Sequence, residues 1–375
     1  MKDKKRAVAA GHICIDITPI FPEKQAAELA SVLSPGKLIR MEGVDIHTGG
    51  SVANTGLAMK LLGADVTLMG KIGTDEFGAL ILDLLKKYDA EKGMIVSDHG
   101  QSSYSVVLAI PGIDRVFLHD PGANDTFSYD DLDFEAIKRA DLFHFGYPPL
   151  MKKMYENGGA ELARILQTVH EAGTAVSLDM AAVDASSDAG KADWEGILKR
   201  ILPYVDFFVP SAEELCFMLD RSRYKEWTAR ANGKDITEVL TVADITPLGE
   251  KAVELGACAA LIKCGAPGIY YKTKAASDKK MKKLCERLNL SLDDWADKRG
   301  FERSYVPERV LSGTGAGDAS IAAFLSSALE GGSLAEALQM ATAAGACCVS
   351  AYDALSGLKP LSELKEKIRC GWKKV

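Results

Sequence analysis

Short apolar runs alternate with segments of helical period along most of this chain, and that rhythm limits the architectures open to it. The runs are 7–17 (AVAAGHICIDI), 65–69 (DVTLM), 141–145 (DLFHF), 174–179 (TAVSLD), 205–209 (VDFFV) and 259–263 (AALIK). Between them lie helical segments at 51–62, 75–88, 160–172, 211–219 and 247–256. Strands separated by helices in this way are βαβ units, and they build a mostly parallel sheet buried on both faces. The last third turns helical, over 318–329, 333–351 and 361–371. Ser333 with Glu336 forms a capping box, and Gly331-Gly332 stops the helix before it.

The composition can fill such a core. Of 375 residues, 47% are hydrophobic and 26% charged, which excludes disordered, collagen-like and low-complexity chains. The formal net charge of −7 and the lack of a long basic run argue against nucleic-acid or membrane-surface partners. No apolar stretch reaches the length of a membrane span. The N-terminus passes from a charged segment straight into a strand, so neither a signal peptide nor a membrane helix is expected. The eight cysteines form no CxxC pair and sit mostly in apolar runs. They read as small buried hydrophobes of a reducing, cytoplasmic compartment and not as a zinc cluster.

Three stretches break the rhythm. Residues 18–48 and 101–120 lack helical period, and the second reads as a hairpin turning at Pro111-Gly112. Together they are expected to form a small β lid. Its apolar positions Val106, Leu108, Ile110, Val116 and Leu118 must cover either the substrate cleft or a second subunit. The charge-dense 272–306 reads as a solvated surface insertion with one or two short helices.

The strongest chemical signal is Gly313-Thr314-Gly315-Ala316-Gly317-Asp318, followed at once by an apolar helix. Glycines let successive N–H groups point into one concavity. The helix start adds unpaired N–H groups and the positive end of its dipole, so the motif can hold a phosphate. A carboxylate cannot help bind phosphate. Asp318 is therefore either a base facing the attacking group or simply a helix cap, and the motif alone supports both equally. A second signal is His47-Thr48-Gly49-Gly50-Ser51-Val52-Ala53-Asn54 at the start of another helix. Paired glycines there allow close approach of a ligand, and Asn54 can bond hydroxyls; alternatively the segment is a plain turn with Asn54 bonded locally. No GxxxxGK[ST] occurs, and no GxGxxG follows the first strand, so a Walker A nucleotidase and a dinucleotide-binding dehydrogenase lose their main support.

These residues together resemble the PfkB, or ribokinase-like, carbohydrate kinases. The resemblance runs nearly end to end and rests on GGSVANTGLAMKLLGADVTLMGKIGTDEFG at 49–78 and LSGTGAGDASIAAFLSSALEGG at 311–332. It implies one α/β domain over 1–375, a three-layer sandwich with a mostly parallel sheet and a small β lid. It implies ATP-dependent phosphorylation of a hydroxyl on a small sugar or sugar-like alcohol, with Mg²⁺ as cofactor and a monovalent cation such as K⁺ left open. Asp318 matches the catalytic base, and Gly315, Ala316 and Gly317 match the anion hole. Asp16, Gly49, Gly50 and Asn54 match sugar-binding positions. Gly122-Ala123-Asn124 resembles the segment leading back from the lid. Lys263, Gly265 and Gly268, with Thr314 and Gly315, match nucleotide-binding positions. Glu214, in Ser211-Ala212-Glu213-Glu214, stands where the family holds Mg²⁺ through water, although the same four residues also spell a capping box.

Two departures bear on substrate and role. Ser312 replaces an Asp of the second signature, and Ser211 replaces an Asn. Asp179-Met180-Ala181-Ala182 lacks the Asn and Arg of D-x-N-x-R, which argues against a 2-keto-3-deoxygluconate- or fructose-type acid or phosphate binder and leaves a neutral sugar or a nucleoside. Tyr104 and His119, on the expected lid, are candidate substrate contacts, with a packed aromatic and a surface histidine as the plainer readings. Many family members pair as homodimers, which the lid's apolar face would serve here. The alternatives are a nucleoside kinase on the same scaffold and a non-catalytic sugar- or nucleotide-binding relative.

Overall fold

The computed structural model describes residues 5–22, 32–111 and 116–375. In chain order the strands are β1 (Arg6–Gly11), β2 (Cys14–Ile20), β3 (Gly43–Gly49), β4 (Asp65–Met69), β5 (Lys71–Gly73), β6 (Ile95–Ser97), β7 (Tyr104–Leu108), β8 (Val116–Asp120), β9 (Leu142–Gly146), β10 (Ala175–Asp179), β11 (Phe207–Phe208), β12 (Ala259–Lys263), β13 (Gly268–Thr273) and β14 (Arg299–Arg303). Eight of them form the main sheet in the order β14-β13-β12-β11-β10-β9-β1-β4. All neighbours from β12 through β4 run parallel, and only the β12-β13-β14 edge is antiparallel.

The continuous apolar runs of β9 and β10 are buried at every position, as strands covered on both faces must be. Alternate residues feed two separate cores. Ala7 and Ala9 of β1 join the core under the helices Ser51–Leu61, Ala316–Leu329 and Leu334–Cys348. Val8 and Ala10 join the one under Lys152–Glu171, Ala212–Leu219 and Val242–Glu254. Helices thus sandwich the sheet, giving the three-layer α/β architecture expected from the sequence.

The run 7–17 is not one strand. It breaks at His12-Ile13, where the His12 N–H donates to the Gly146 carbonyl (3.2 Å) and β2 leaves for a second sheet. Asn124 fastens this break: its amide donates to the Ile13 carbonyl (2.9 Å) and its oxygen accepts the Ile13 N–H (3.2 Å). The second sheet has the order β3-β2-β7-β8. The β7–β8 pairing is the expected hairpin, whose turn lies in part outside the described residues.

Strand alternation separates the two faces of this small sheet. Asp16, Ser105 and His119 sit side by side on one face, and Ile17, Val106, Leu118 and Ile46 on the other. His119 packs 5.1 Å from His12, at the end of β1, so the polar face is the one turned toward the main sheet. The expectation that the apolar positions could cover the cleft is corrected accordingly. The apolar face packs in part on the helix Glu76–Lys86, where Tyr104 meets Phe77 and Ile17 joins the core, and in part stands free, with Leu118, Val44 and Ile46 exposed and Ile110 buried.

The segment 272–306 also differs from the expected solvated insertion. β14 is an edge strand of the main sheet, and the helix Lys279–Leu288 buries Met281, Leu284, Cys285 and Leu288. Lys280 is half-buried, donating to the carbonyls of Val205 (2.6 Å) and Gly256 (2.9 Å). The lysines do form a solvated face, but on a helix that belongs to the core.

Candidate active site

Sites in parallel sheets gather where strands end at their carboxyl edge. Here His12 follows β1, Tyr147 follows β9, Asp179 closes β10 and Lys263 closes β12. Opposite them the helix Ala316–Leu329 begins, and the polar face of the small sheet closes the third side.

Gly315 caps that helix with φ 72°, a left-handed conformation that suits glycine, and a Cβ there would run into Ala354. The first-turn N–H groups have no acceptor within the helix, and that of Ala316 reaches the Gly313 carbonyl of the preceding loop (3.3 Å). The loop before it is braced by Ser312, whose hydroxyl accepts the Thr314 N–H (3.1 Å) and meets the Thr314 hydroxyl (3.0 Å). Ser312 thus supports the loop where the family signature has Asp.

Asp318 lies in the first helical turn and is 4% exposed. Asn54 donates to its Oδ2 (3.1 Å) and Thr55 to its Oδ1 (3.0 Å), both from the buried helix Ser51–Leu61. The Tyr147 hydroxyl donates to both oxygens, at 2.9 and 2.8 Å. Burial first, and then the charges of Asp318 and Asp179, hold the Tyr147 phenol well above its usual range, so it stays a donor.

Asp16 sits across the cleft. Gly49 is its partner in space, since a Cβ on Gly49 would occupy the Asp16 carboxylate. The next residue, Gly50, has φ 81°, and a Cβ there would strike His12. The paired glycines therefore let Asp16 and His12 close against the start of the helix Ser51–Leu61. Burial raises the Asp16 carboxyl, and Asp318 adds to the rise against bonds from Cys14 and Ser105. Burial lowers both His12 and His119, so the two rings are neutral neighbours. Neither ring nitrogen of His12 has a partner among the described residues, nor does Nε2 of His119, whose Nδ1 lies 3.0 Å from the Ser105 hydroxyl.

Beneath the anion hole, Lys263 Nζ lies 2.6 Å from Asp179 Oδ1. Burial works against the Lys263 charge, but Asp179, Glu214 and Asp318 more than offset it and hold the ammonium in its charged form. The Lys263 stem passes 3.5 Å from where a Cβ of Gly317 would stand. Positive charge is therefore set directly under the N-terminus of the Ala316–Leu329 helix.

The structure brings together Asp16, Gly49, Gly50, Asn54, His119, Lys263 and the 315–318 motif. It does not bring in Tyr104, which turns to the other face of the small sheet with its ring 5.5 Å from Phe77; a packed aromatic is what it is. Gly265 and Gly268 form the tight β12–β13 turn, with the Gly268 N–H on the Gly265 carbonyl (3.2 Å). Glu214 is in its capping box, accepting the Ser211 N–H at 2.7 Å, while its charge is felt at Lys263 and Asp179. Among the described residues no cluster of His, Cys, Asp and Glu could hold a metal by itself. A water-held ion beside Glu214 fits this donor set, and a directly caged one does not. Thr55 and Tyr147, and the pairing of Asp179 with Lys263, are not indicated by the sequence motifs. The signal available was their position, at strand ends or next to Asn54.

Comparison with known proteins bears on family and fold. The family model for pfkB family carbohydrate kinases matches residues 5–360. An uncharacterized sugar kinase of Archaeoglobus fulgidus is 25% identical over 302 residues, covering 80% of this chain and 98% of that protein. A probable fructokinase-5 of Arabidopsis thaliana is 27% identical, covering 94% of this chain and 93% of its own length. A putative ribokinase II from E. coli, solved with ATP and Mg²⁺, superposes with a TM-score of 0.70 at 19% identity over 98% of this chain and 99% of that one. A nucleoside kinase from Methanocaldococcus jannaschii superposes with a TM-score of 0.62 at 17% identity, covering 98% of each chain. The structural matches carry the ribokinase-like fold, and the family match spans nearly the whole sequence: the chain belongs to the pfkB family of carbohydrate kinases.

Proposed function

We propose that this kinase transfers the γ-phosphoryl group of ATP to a hydroxyl of a small neutral sugar or sugar-like alcohol, with Asp318 as the base. One observation carries the reading: a buried carboxylate, oriented by Asn54 and Thr55, stands in the first turn of a helix whose N-terminus is built to hold an anion. ATP with Mg²⁺, when bound, supplies the phosphoryl group and neutralises its charge. The chain's own residues do the rest. Asp16 and Asn54 bind hydroxyls of the acceptor and aim one of them at Asp318, which takes its proton. The 315–317 backbone and Lys263 stabilise charge on the transferring group. Glu214 anchors Mg²⁺ through water. A requirement for a monovalent cation such as K⁺ stays open.

The outward apolar face of the small sheet supports a homodimer, with the sheet acting as a lid over the acceptor. Among the described residues no helix is long and apolar enough to cross a membrane, and seven of the eight free cysteines are buried. This suits a reducing cytoplasm. A nucleoside acceptor is the second reading, favoured by the His12, His119 and Tyr147 rings that cluster in the cleft. ATP turnover across a panel of neutral sugars, sugar acids, sugar phosphates and nucleosides tests both. Turnover with a neutral sugar supports the first reading, turnover with nucleosides alone supports the second, and none with any acceptor contradicts both.

A further inference from the structure

The Asp318 carboxylate is crowded by three donors, one of which, the Tyr147 hydroxyl, lies across both of its oxygens. A carboxylate accepts about four hydrogen bonds. Oδ1 already takes Thr55 and Tyr147, and Oδ2 takes Asn54 and Tyr147. Three donors leave one acceptor place unfilled, but the Tyr147 hydroxyl lies across both oxygens and covers it, so a hydroxyl about to lose its proton to Asp318 must move that donor aside.

Asn54 and Thr55 are fixed on a helix buried almost throughout. Tyr147 differs in two ways. Its single proton is shared between two oxygens, so neither bond is fully aligned. It also sits in a connection, between β9 and the short turn Pro148–Leu150, at φ 65° and ψ 41°. A left-handed backbone at a bulky aromatic residue is uncommon, and strain of this kind collects where a segment has two states.

We infer that the Tyr147 hydroxyl is a placeholder: it occupies the acceptor's position at Asp318 until the acceptor displaces it, and so keeps water from being activated in its stead. The inference rests on the kinase reading above. The reaction held back is hydrolysis of ATP. In it the oxygen of a water forms a bond to the γ-phosphorus, the bond from phosphorus to the ADP oxygen breaks, ADP departs with that electron pair, and the water's proton passes to Asp318. A phenol in the water's place blocks the first step.

The test has two arms. Phosphate release from ATP and Mg²⁺ without any acceptor is measured for the wild type, Tyr147→Phe, and Tyr147→Phe combined with Asp318→Asn. Removing the hydroxyl leaves room for about one water at the base. Tyr147→Phe is expected to release phosphate roughly tenfold faster than the wild type or more, and the double variant to lose that gain because the base is gone. Equal rates in the wild type and Tyr147→Phe overturn the inference. The second arm reads no activity and keeps the native hydroxyl in place. With 3-fluorotyrosine at position 147, the ¹⁹F resonance should shift when an acceptor from the panel is added without nucleotide. Turnover of that acceptor with an unshifted resonance overturns the placeholder alone. Failure of every acceptor to turn over removes the kinase reading, and the inference with it.

Discussion

The Lys263 ammonium lies 2.6 Å from Asp179 Oδ1, at the ends of two strands separated in the sheet by β11, and both side chains are largely buried. Each strand thereby delivers a charge that the other needs. Removing one partner of a buried pair costs about 3–5 kcal/mol, whereas removing both together costs far less. Lys263→Met should therefore destabilise the fold by about that amount, and adding Asp179→Asn should recover part of it. Urea unfolding of the wild type, both single variants and the double variant checks this, and additive losses would mean the pair is not coupled.

Stability should also fall with acid for a reason located on β9. Burial pushes His144 down to about 3, and Lys263 adds to the effect. The unfolded chain binds a proton at this residue near pH 6.5, while the folded chain refuses it until about pH 3. The unfolded state thus holds more protons throughout that window, so stability is complete above about pH 6.5 and declines as pH falls. His144→Gln should reduce the slope of stability against pH between about 6 and 4 by roughly one proton, as read from unfolding curves at several pH values.

How much of this could be read from residues alone varies with the physics. The parallel sheet and both helix-start motifs were legible, because period and glycine placement are local. The break at His12-Ile13 was not, since both halves of 7–17 are apolar, and long-range contacts such as the Asn124 clasp on Ile13, 111 residues away, and the pairing with β3 and β7 send β2 to another sheet. In 279–288 the apolar stripe Met281, Leu284, Cys285, Leu288 has helical spacing, yet dense charge around it suggested a solvated insertion. Tyr147 carries no motif at all. Its bond to Asp318 spans 171 residues and exists only because β9 ends beside the Ala316–Leu329 helix.

The outward face of the small sheet makes a claim about assembly. Val106 pairs with Leu118 and lies in register with Ile17 and Ile46; Ile17 packs on the core, but Leu118, Ile46 and Val44 leave an exposed apolar edge on this face among the described residues. Light scattering should give twice the chain mass at micromolar concentration. Val106→Asp or Leu118→Asp should give monomers with weaker acceptor affinity, since a charge buried in such an interface is not tolerated. A monomeric wild type would contradict the dimer.

The central claim is that Asp318 removes the acceptor's proton, and Asp318→Asn tests it most directly. The amide keeps the shape of the carboxylate and an oxygen for Thr55 and Tyr147, so fold and ATP affinity should persist, as checked by circular dichroism and calorimetry. Turnover with the best acceptor of the panel should fall by about 10²–10⁴, the usual worth of a positioned base. Turnover above about a tenth of the wild-type rate would contradict the assignment, because a working base contributes far more than tenfold.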